Sequence, residues 1–482
     1  VQGLVGLPPS LHETLEKSFS AQVTSLFAEH SMRVLDEQEL PVAAAARYHT
    51  LHALAVRIHD KCTGRRADQL LLFHERKLVW DVLNKWVFWC VAARARESAA
   101  FLPPSSPGIA PPPSLAWVDP LIPSRDDPAT ATFLANQLYT HYNFSEGSED
   151  TTRLARELIA EGARAAAEVE RLVSETVTRW RLRLQGGRVQ LSDATLGVSL
   201  DEDPTEPGSV CLRWSGEGER SSGERSSGER SSGERPGHAV RLFRGHYAKL
   251  EAAYEAAGHQ RELMLARMFA VVCRYDGLSE DKSAYQAALP RRMLLTLRRL
   301  LGVEHECYAS PLNRYFSSYC SAFADTDAFF GSAGPFQQFW PAEGSFEANP
   351  PFDQQSVIEC LEHMGALFRA ARGPLSFVLV IPEMEMSHKL GKVYSEVKQY
   401  QRRRVVARAG KHKYLMGLQH RPTGDGLELF WEPEKPSVLY FLQNDLGAQK
   451  WPATEDVASL LLNCFDVDSW AEDFEEEEPE FE

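Results

Sequence analysis

Gly344-Ser345-Phe346-Glu347-Ala348-Asn349-Pro350-Pro351-Phe352 is the stretch from which the rest of the chain can be laid out. Two successive prolines remove backbone donors and fix φ. The end of this run is therefore a stiff extended turn whose carbonyls lack ladder partners and can face a ligand. Downstream, Leu375 to Ile381 and Ser437 to Leu442 read as short apolar strands. Between the turn and the first of these lies a helical pattern with apolar residues at Val357, Leu361, Met364 and Phe368. Strand, crossover helix and strand in this order predict an α/β fold. The turn then stands at the end of its strand, where open α/β sheets bind ligands.

Asn349-Pro350-Pro351-Phe352 resembles the (Asn/Asp)-Pro-Pro-aromatic signature of amino-methyltransferases, which move a methyl group from S-adenosylmethionine to an exocyclic base nitrogen. The adenine N6 lone pair is delocalised into the ring and is a poor nucleophile. The Asn349 side-chain carbonyl and the Pro350 backbone carbonyl can accept both N6 hydrogens and favour a pyramidal nitrogen, while Phe352 stacks on the base. No general base and no metal are called for.

A chain of 482 residues has room for two or three domains, and 43% apolar with 25% charged residues is a globular composition. No run of about 18 apolar residues and no basic-then-apolar start occurs, so neither a membrane span nor a signal peptide is expected. The eight cysteines form no CxxC pair, which fits reduced thiols in a cytosolic or nuclear setting. A net charge of −15 argues against a wholly basic nucleic-acid binder. Eight of the acidic residues, however, fall between Glu472 and Glu482. Basic stretches remain at Arg291-Arg292, Arg298-Arg299, and from Arg402 through Arg403 and Arg404 to Lys411 and Lys413, enough for a local channel.

Along the chain, Leu11 to Leu35 and Val42 to Arg96 read as helices, the second with an aromatic run at Trp80 to Trp89 suited to burial. Prolines at 101–128 mark a linker or surface strap. A long helix is expected from Thr151 to Leu184, then two short strands around Arg188 to Leu200 and Ser209 to Trp214. Three copies of Ser-Ser-Gly-Glu-Arg make 216–236 a disordered insertion, or alternatively a basic RNA-binding arm. Helices follow at Ala239 to Ala257, Gln260 to Cys273 and Pro290 to Leu301. Glu306 to Ala309 is the first strand of the α/β unit and Ser310 to Asn313 its turn. Asp325 to Ser332 is a loop rich in acidic, aromatic and Gly residues, the kind that carries sites, unless Asp325 and Asp327 only cap a helix. The acidic tail, 466–482, is expected to be disordered, as a solubility device or as a competitor of RNA.

Val271 to Asp276, Tyr285 to Pro290, Ala309 to Asn313, Tyr319 to Phe323, Asp325-Thr326-Asp327, Phe330-Gly331-Ser332, Gly344 to Phe352, Ile381-Pro382-Glu383 and Phe441 to Asp445 together resemble the phosphorylated-CTD-interacting-factor family, the cap-specific adenosine N6-methyltransferases. The resemblance implies a mainly helical domain, 1–270, on a Rossmann-like methyltransferase domain, 271–465. It implies methylation of N6 on the 2′-O-methyladenosine beside a 7-methylguanosine cap, with capped mRNA beginning with adenosine as partner and a nuclear location. Asn349, Pro350, Pro351 and Phe352 match the catalytic motif. Ser310, Pro311, Asn313, Asp325, Asp327 and Gly331, with Asn349, fall in the half that takes S-adenosylmethionine. Arg274, Glu383, Arg402, Arg404 and Lys411, with Phe352, are the candidates for contacts to capped RNA.

The chain departs from the family in three places. No paired-Trp module precedes Leu11, so a WW domain, and with it binding to the phosphorylated polymerase tail, is not expected. Met384 stands where the family has Trp, and Tyr414 to Lys435 diverges. Two other readings stay open: a relative that binds capped RNA without turnover, and an adenine N6-methyltransferase for DNA or internal RNA.

Overall fold

The computed structural model describes residues 40–64, 73–100, 119–142, 148–185, 190–216, 237–278, 286–421 and 430–465. The expected helix at Leu11 to Leu35, most of the repeat insertion and the acidic tail lie outside them. The first part is helical: α1 (Pro41–Thr63), α2 (Phe73–Ala100), α3 (Pro128–Tyr142) and α4 (Glu149–Gln185). Glu149 and Asp150 sit in the first turn of α4 and Arg183 in its last, signs that match the helix dipole. Its buried residues Ala155, Leu158, Ile159, Gly162, Ala166 and Val169 recur at helical spacing and form the stripe that faces α1 and α3. Val79, Val82, Leu83 and Trp86 of α2 are buried, as the aromatic run predicts.

Three strands follow, β1 (Val198–Glu202), β2 (Ser209–Trp214) and β3 (His238–Phe243), in one antiparallel sheet. The helix expected over Ala239 to Ala257 is thus corrected. Val240 and Leu242 alternate inward as a strand, and only α5 (Arg244–Ala256) is helical. After it comes α6 (Met264–Asp276), through which the expected division at residue 270 passes. Core residues from α1 to α6 form one cluster that also takes in Leu312, Phe323 and Phe330 from the α/β part.

The α/β part runs α7 (Arg291–Leu301), β4 (His305–Ala309), β5 (Ser318–Ser321), β6 (Gly344–Ala348), α8 (Gln354–Ala370), β7 (Leu375–Pro382), α9 (His388–Val397), β8 (Gln401–Ala407), β9 (Ser437–Gln443), α10 (Asp445–Lys450) and α11 (Glu455–Phe465). Six strands pair in the order β5-β4-β6-β7-β9-β8. Neighbours from β5 to β7 are parallel, and β9 runs antiparallel to both β7 and β8. Phe377, Leu379 and Ile381 face α8 and α9, while Val378 and Val380 face α7 and α11. Both faces of the sheet are covered, which is why β7 reads as an unbroken apolar run. Among the described residues no helix is long and apolar enough to cross a membrane.

Residues 119–123, read from sequence as part of a linker or surface strap, are pinned into the helical core. Arg47 Nε donates to Asp119 Oδ2 at 2.9 Å, and Asp119 Oδ1 accepts from the amides of Leu121 at 2.8 Å and Ile122 at 2.6 Å. Both of those side chains are buried. The Pro123 carbonyl then lies directly over Gly162, where a Cβ would collide with it. In an open helix Gly→Ala stabilises by about 1 kcal/mol. Here Gly162→Ala is expected to destabilise by about 1–3 kcal/mol through overpacking, which thermal unfolding of the full chain would measure as a lowered Tm.

Candidate active site

The strand order reverses between β4, which continues to β5 on one side, and β6, which occupies the other. At such a point the loops diverge and leave a crevice at the carboxyl ends of the strands. A cavity of about 100 Å³ lies there, walled on its far side by Phe88, Val91 and Ala95 of α2. Arg96 of α2 also pairs with Glu359 of α8 at its rim.

Asn349, the first residue beyond β6, is 8% exposed and lines this cavity. Its Nδ2 donates to the Ala287 carbonyl at 2.9 Å. Only the NH₂ end of the amide can make that contact, so the Oδ1 end is turned the other way. Oδ1 is buried and, among the described residues, has no hydrogen-bond partner, which leaves it an acceptor for a donor in the cavity. Pro350 is buried and Pro351 lines the cavity. Asp353 ends the turn by capping α8, accepting from the Ser356 amide at 3.0 Å. Phe352 is not on the cavity wall. Its half-buried ring packs edge-on against Tyr414 at 5.2 Å and, tilted, against Trp431 at 6.1 Å.

The turn after β4 closes on itself. Asn313 Oδ1 accepts from Ser310 N at 2.7 Å and Ser310 Oγ at 2.9 Å, and Asn313 Nδ2 donates to the Gln286 carbonyl at 3.0 Å. Ser310 and Asn313 line the cavity; Pro311, buried between them, does not. The structure therefore brings Ser310, Asn313, Asn349 and Pro351 together.

Asp325, Asp327 and Gly331 stand behind the wall. Asp327, in the short helix Ala324–Asp327 after β5, accepts from Tyr275 Oη at 2.5 Å and Thr326 Oγ1 at 2.9 Å. Burial pushes its carboxyl up to about 6 despite those bonds. No side chain caps this helix, so the capping alternative for Asp325 and Asp327 fails. Gly331 ends the following 3-10 turn at φ 87°, a conformation that favours glycine. The wall itself is built from Ser321 and Ala322.

The expectation for Arg274 as a substrate contact is corrected. Its side chain is buried, donates to both Asp325 oxygens at 3.0 and 2.8 Å, and lies over the Phe323 ring at 5.0 Å. Crowding by the surrounding protein works to raise the Asp325 carboxyl, whose side chain is nonetheless 42% exposed, but the Arg274 guanidinium holds it below the usual carboxylate range.

Glu383, Arg402, Arg404 and Lys411 do not join this cavity. Arg402 and Arg404 lie on β8, the sheet edge opposite β5. Arg402 donates to the Gln443 carbonyl at 3.0 Å and to Asp445 at 2.6 Å, and Arg404 to Glu383 at 3.3 Å. Glu383 and Arg404 instead border a second cleft, of about 160 Å³, with Met384, Tyr394 and Tyr440. Lys411 is exposed beyond the end of β8.

Reading by sequence missed Gln286 and Ala287, which hold Asn313 and Asn349 through main-chain carbonyls. Their signal was positional, within the Tyr285 to Pro290 stretch, because carbonyl acceptors leave no mark in residue type. The α2 wall gave none, since Phe88 sits in a run that reads as core.

The buried Asp327 has a measurable consequence. Its folded value of about 6 lies above the ordinary 3.8. The folded chain thus binds this proton more readily than the unfolded one, and the group's contribution to stability declines as pH rises from 4 through 6. Asp327→Asn keeps an acceptor for Tyr275, so it should raise Tm by about a few degrees above pH 6.5 and flatten Tm between pH 4 and 6. Melting curves across that range would check this.

Residues 242–417 match a family model described as "Phosphorylated CTD interacting factor 1 WW domain". The chain is 36% identical over 237 residues to an mRNA (2'-O-methyladenosine-N(6)-)-methyltransferase of Mus musculus, covering 48% of this chain and 33% of that protein. It is 36% identical over 228 residues to a protein of the same name in Homo sapiens, covering 46% and 32%. The chain thus spans about a third of the length of these curated relatives. The expectation that the WW part has no counterpart is overturned by the family match, which carries that name. A search for paired tryptophans could not find it, because the matched segment holds one tryptophan, Trp340. Residues 242–417, which carry the Asn349 turn, most of the cavity wall and five strands of the central sheet, are thus the part of the chain that is similar to the phosphorylated CTD interacting factor family.

Proposed function

We propose that the chain is an S-adenosylmethionine-dependent methyltransferase acting on N6 of the 2′-O-methyladenosine next to the 7-methylguanosine cap of mRNA. The relatives bear that activity in their name. The observation that carries it to this chain is the buried, unpartnered Asn349 Oδ1 at the carboxyl end of β6. We read the sheet, 271–465, as a Rossmann-like methyltransferase core and 1–270 as the mainly helical part packed on it. The reversal of strand order beside Asn349 supports that reading.

The residues present suit the methyl donor. Among the described residues Gln286 Oε1, like Asn349 Oδ1, is a buried acceptor without a partner, and both residues line the cavity with Ser310 and Asn313. An amino-bearing ligand would satisfy them. Ser310, Asn313 and Gln286 would hold the donor, and when bound it supplies an electrophilic methyl group on a sulfonium.

Asn349 and Pro350 do the orienting. With Nδ2 tied to Ala287, Oδ1 cannot swing away, and it accepts one N6 hydrogen while the Pro350 carbonyl accepts the other. The nitrogen lone pair is then directed out of the base plane, toward the methyl group. Once methylated, the nitrogen is cationic and gives one proton to water. We assign base stacking to Phe352, whose half-buried ring packs against Tyr414 and Trp431 off the cavity wall, so the base would have to reach beyond the cavity to meet it. The name of the matched family also supports a phosphorylated polymerase tail as a partner, and with it a nuclear location.

The test is incubation of the protein with labelled methyl donor and RNA beginning with adenosine, capped or uncapped, followed by nucleoside analysis. Label in N6-methylated 2′-O-methyladenosine from capped RNA is the expected result. Equal label in uncapped RNA or DNA would move the reading to an adenine methyltransferase of another substrate class, and no label to a binding protein. Asn349→Ala is expected to lower turnover by about 10²–10³ with donor affinity nearly unchanged, as single-turnover rates and calorimetry would show.

A further inference from the structure

We propose that Lys249 is a positioning residue, which sets the Ser310–Asn313 turn from the helical half of the molecule. This rests on the reading of that turn as the place of the methyl donor. Lys249 sits on α5 with its stem half-buried and its ammonium carried inward against the loop between β4 and β5. There Nζ donates to the Leu312 carbonyl at 3.2 Å and to the Arg314 carbonyl. From the sheet side, Glu306 of β4 accepts from the amides of Tyr315 at 2.7 Å and Phe316 at 2.8 Å. One cation and one carboxylate thus hold four main-chain groups within five residues. The Arg314 amide donates in turn to the Ser310 carbonyl at 3.0 Å, so displacement of Arg314 passes through one hydrogen bond to a residue of the cavity wall.

A role in anchoring α5 does not explain the lysine. That helix is held by Leu250 and Tyr254, both 0% exposed in the helical core. Removing an ammonium from water is costly, and burial lowers Lys249 while raising Glu306. An apolar side chain would fasten α5 with less penalty, but it could not bind two carbonyls. Methylene contacts also tolerate sliding, whereas the two bonds from Nζ fix the loop in register.

The test uses the full chain and S-adenosylhomocysteine, the donor without its methyl group, with binding followed by calorimetry. Lys249→Met should weaken its Kd by about tenfold, the size expected for loss of a charged hydrogen-bond contact. It should raise KM for the donor while kcat at saturating donor stays within about threefold. Leu250→Ala, which loosens the same helix while leaving the two Nζ bonds in place, should lower Tm yet leave that Kd within about twofold. A Kd for Lys249→Met within twofold of the parent would overturn the proposal, as would equal weakening by Leu250→Ala. If Lys249→Met does not fold, Glu306→Gln, which alters the hold on Tyr315 and Phe316 without changing size, is read by the same two outcomes. Failure of the parent chain to bind S-adenosylhomocysteine would strike the proposed function itself, a result distinct from binding that ignores Lys249.

Discussion

The hydrogen bond from Asn349 Nδ2 to the Ala287 carbonyl is the contact on which the site depends, because it joins a rigid turn to a segment that also holds the turn after β4. Gln286 gives its carbonyl to Asn313 at 3.0 Å, and Ala287 gives its own to Asn349 at 2.9 Å. Ala288 pairs in both directions with Leu415, at 3.0 and 2.8 Å. Three consecutive residues therefore fix the turn after β4, the turn after β6 and the two-residue strand Tyr414–Leu415, whose Tyr414 packs against Phe352. The two prolines leave Asn349 little freedom of its own. What the bond adds is orientation of the amide, with its buried oxygen turned away from Ala287.

Such a site needs support from outside the sheet, and the helical half provides it. Phe88, Val91 and Ala95 close the crevice, and the shared core runs without interruption from α1 to Phe323 and Phe330. Loss of packing in the helical half would thus reach the wall directly. Burial also shapes the charges behind that wall. Asp327 and Glu306 are pushed up, while Asp325 is kept ionised by Arg274.

How much of this was legible in the sequence differs from residue to residue. The β6–α8–β7 unit could be read because its signals are local: a proline pair at 350–351 after β6, helical spacing at Val357, Leu361, Met364 and Phe368, and an apolar run in β7. β3 was read as helix because the strand alternation is short, Val240 and Leu242 alone, and α5 follows it directly at Arg244. Arg274 looked like a substrate contact since its partner, Asp325, lies 51 residues on and only folding brings them together. The arginines of β8 mislead for the same reason. Arg402, Arg403 and Arg404 read as a basic run, yet Asp445, Glu455 and Glu383 meet them across the fold. Local basic charge in the sequence was thus no measure of local positive potential. Ser310, Asn313 and Asn349, which the fold brings to one cavity, stood out in the sequence because their chemistry is in their side chains, whereas the carbonyls of Gln286 and Ala287 could belong to any residue.

The central claim is that donor and target base meet at the carboxyl ends of β4 and β6, and not in the cleft beside Glu383 and Arg404. Ultraviolet crosslinking of labelled S-adenosylmethionine to the protein, followed by mass spectrometric mapping of the labelled peptide, tests it most directly. The account predicts label within residues 286–313 or 349–352, lost on competition with S-adenosylhomocysteine. Competable label confined to residues 382–404 would contradict it.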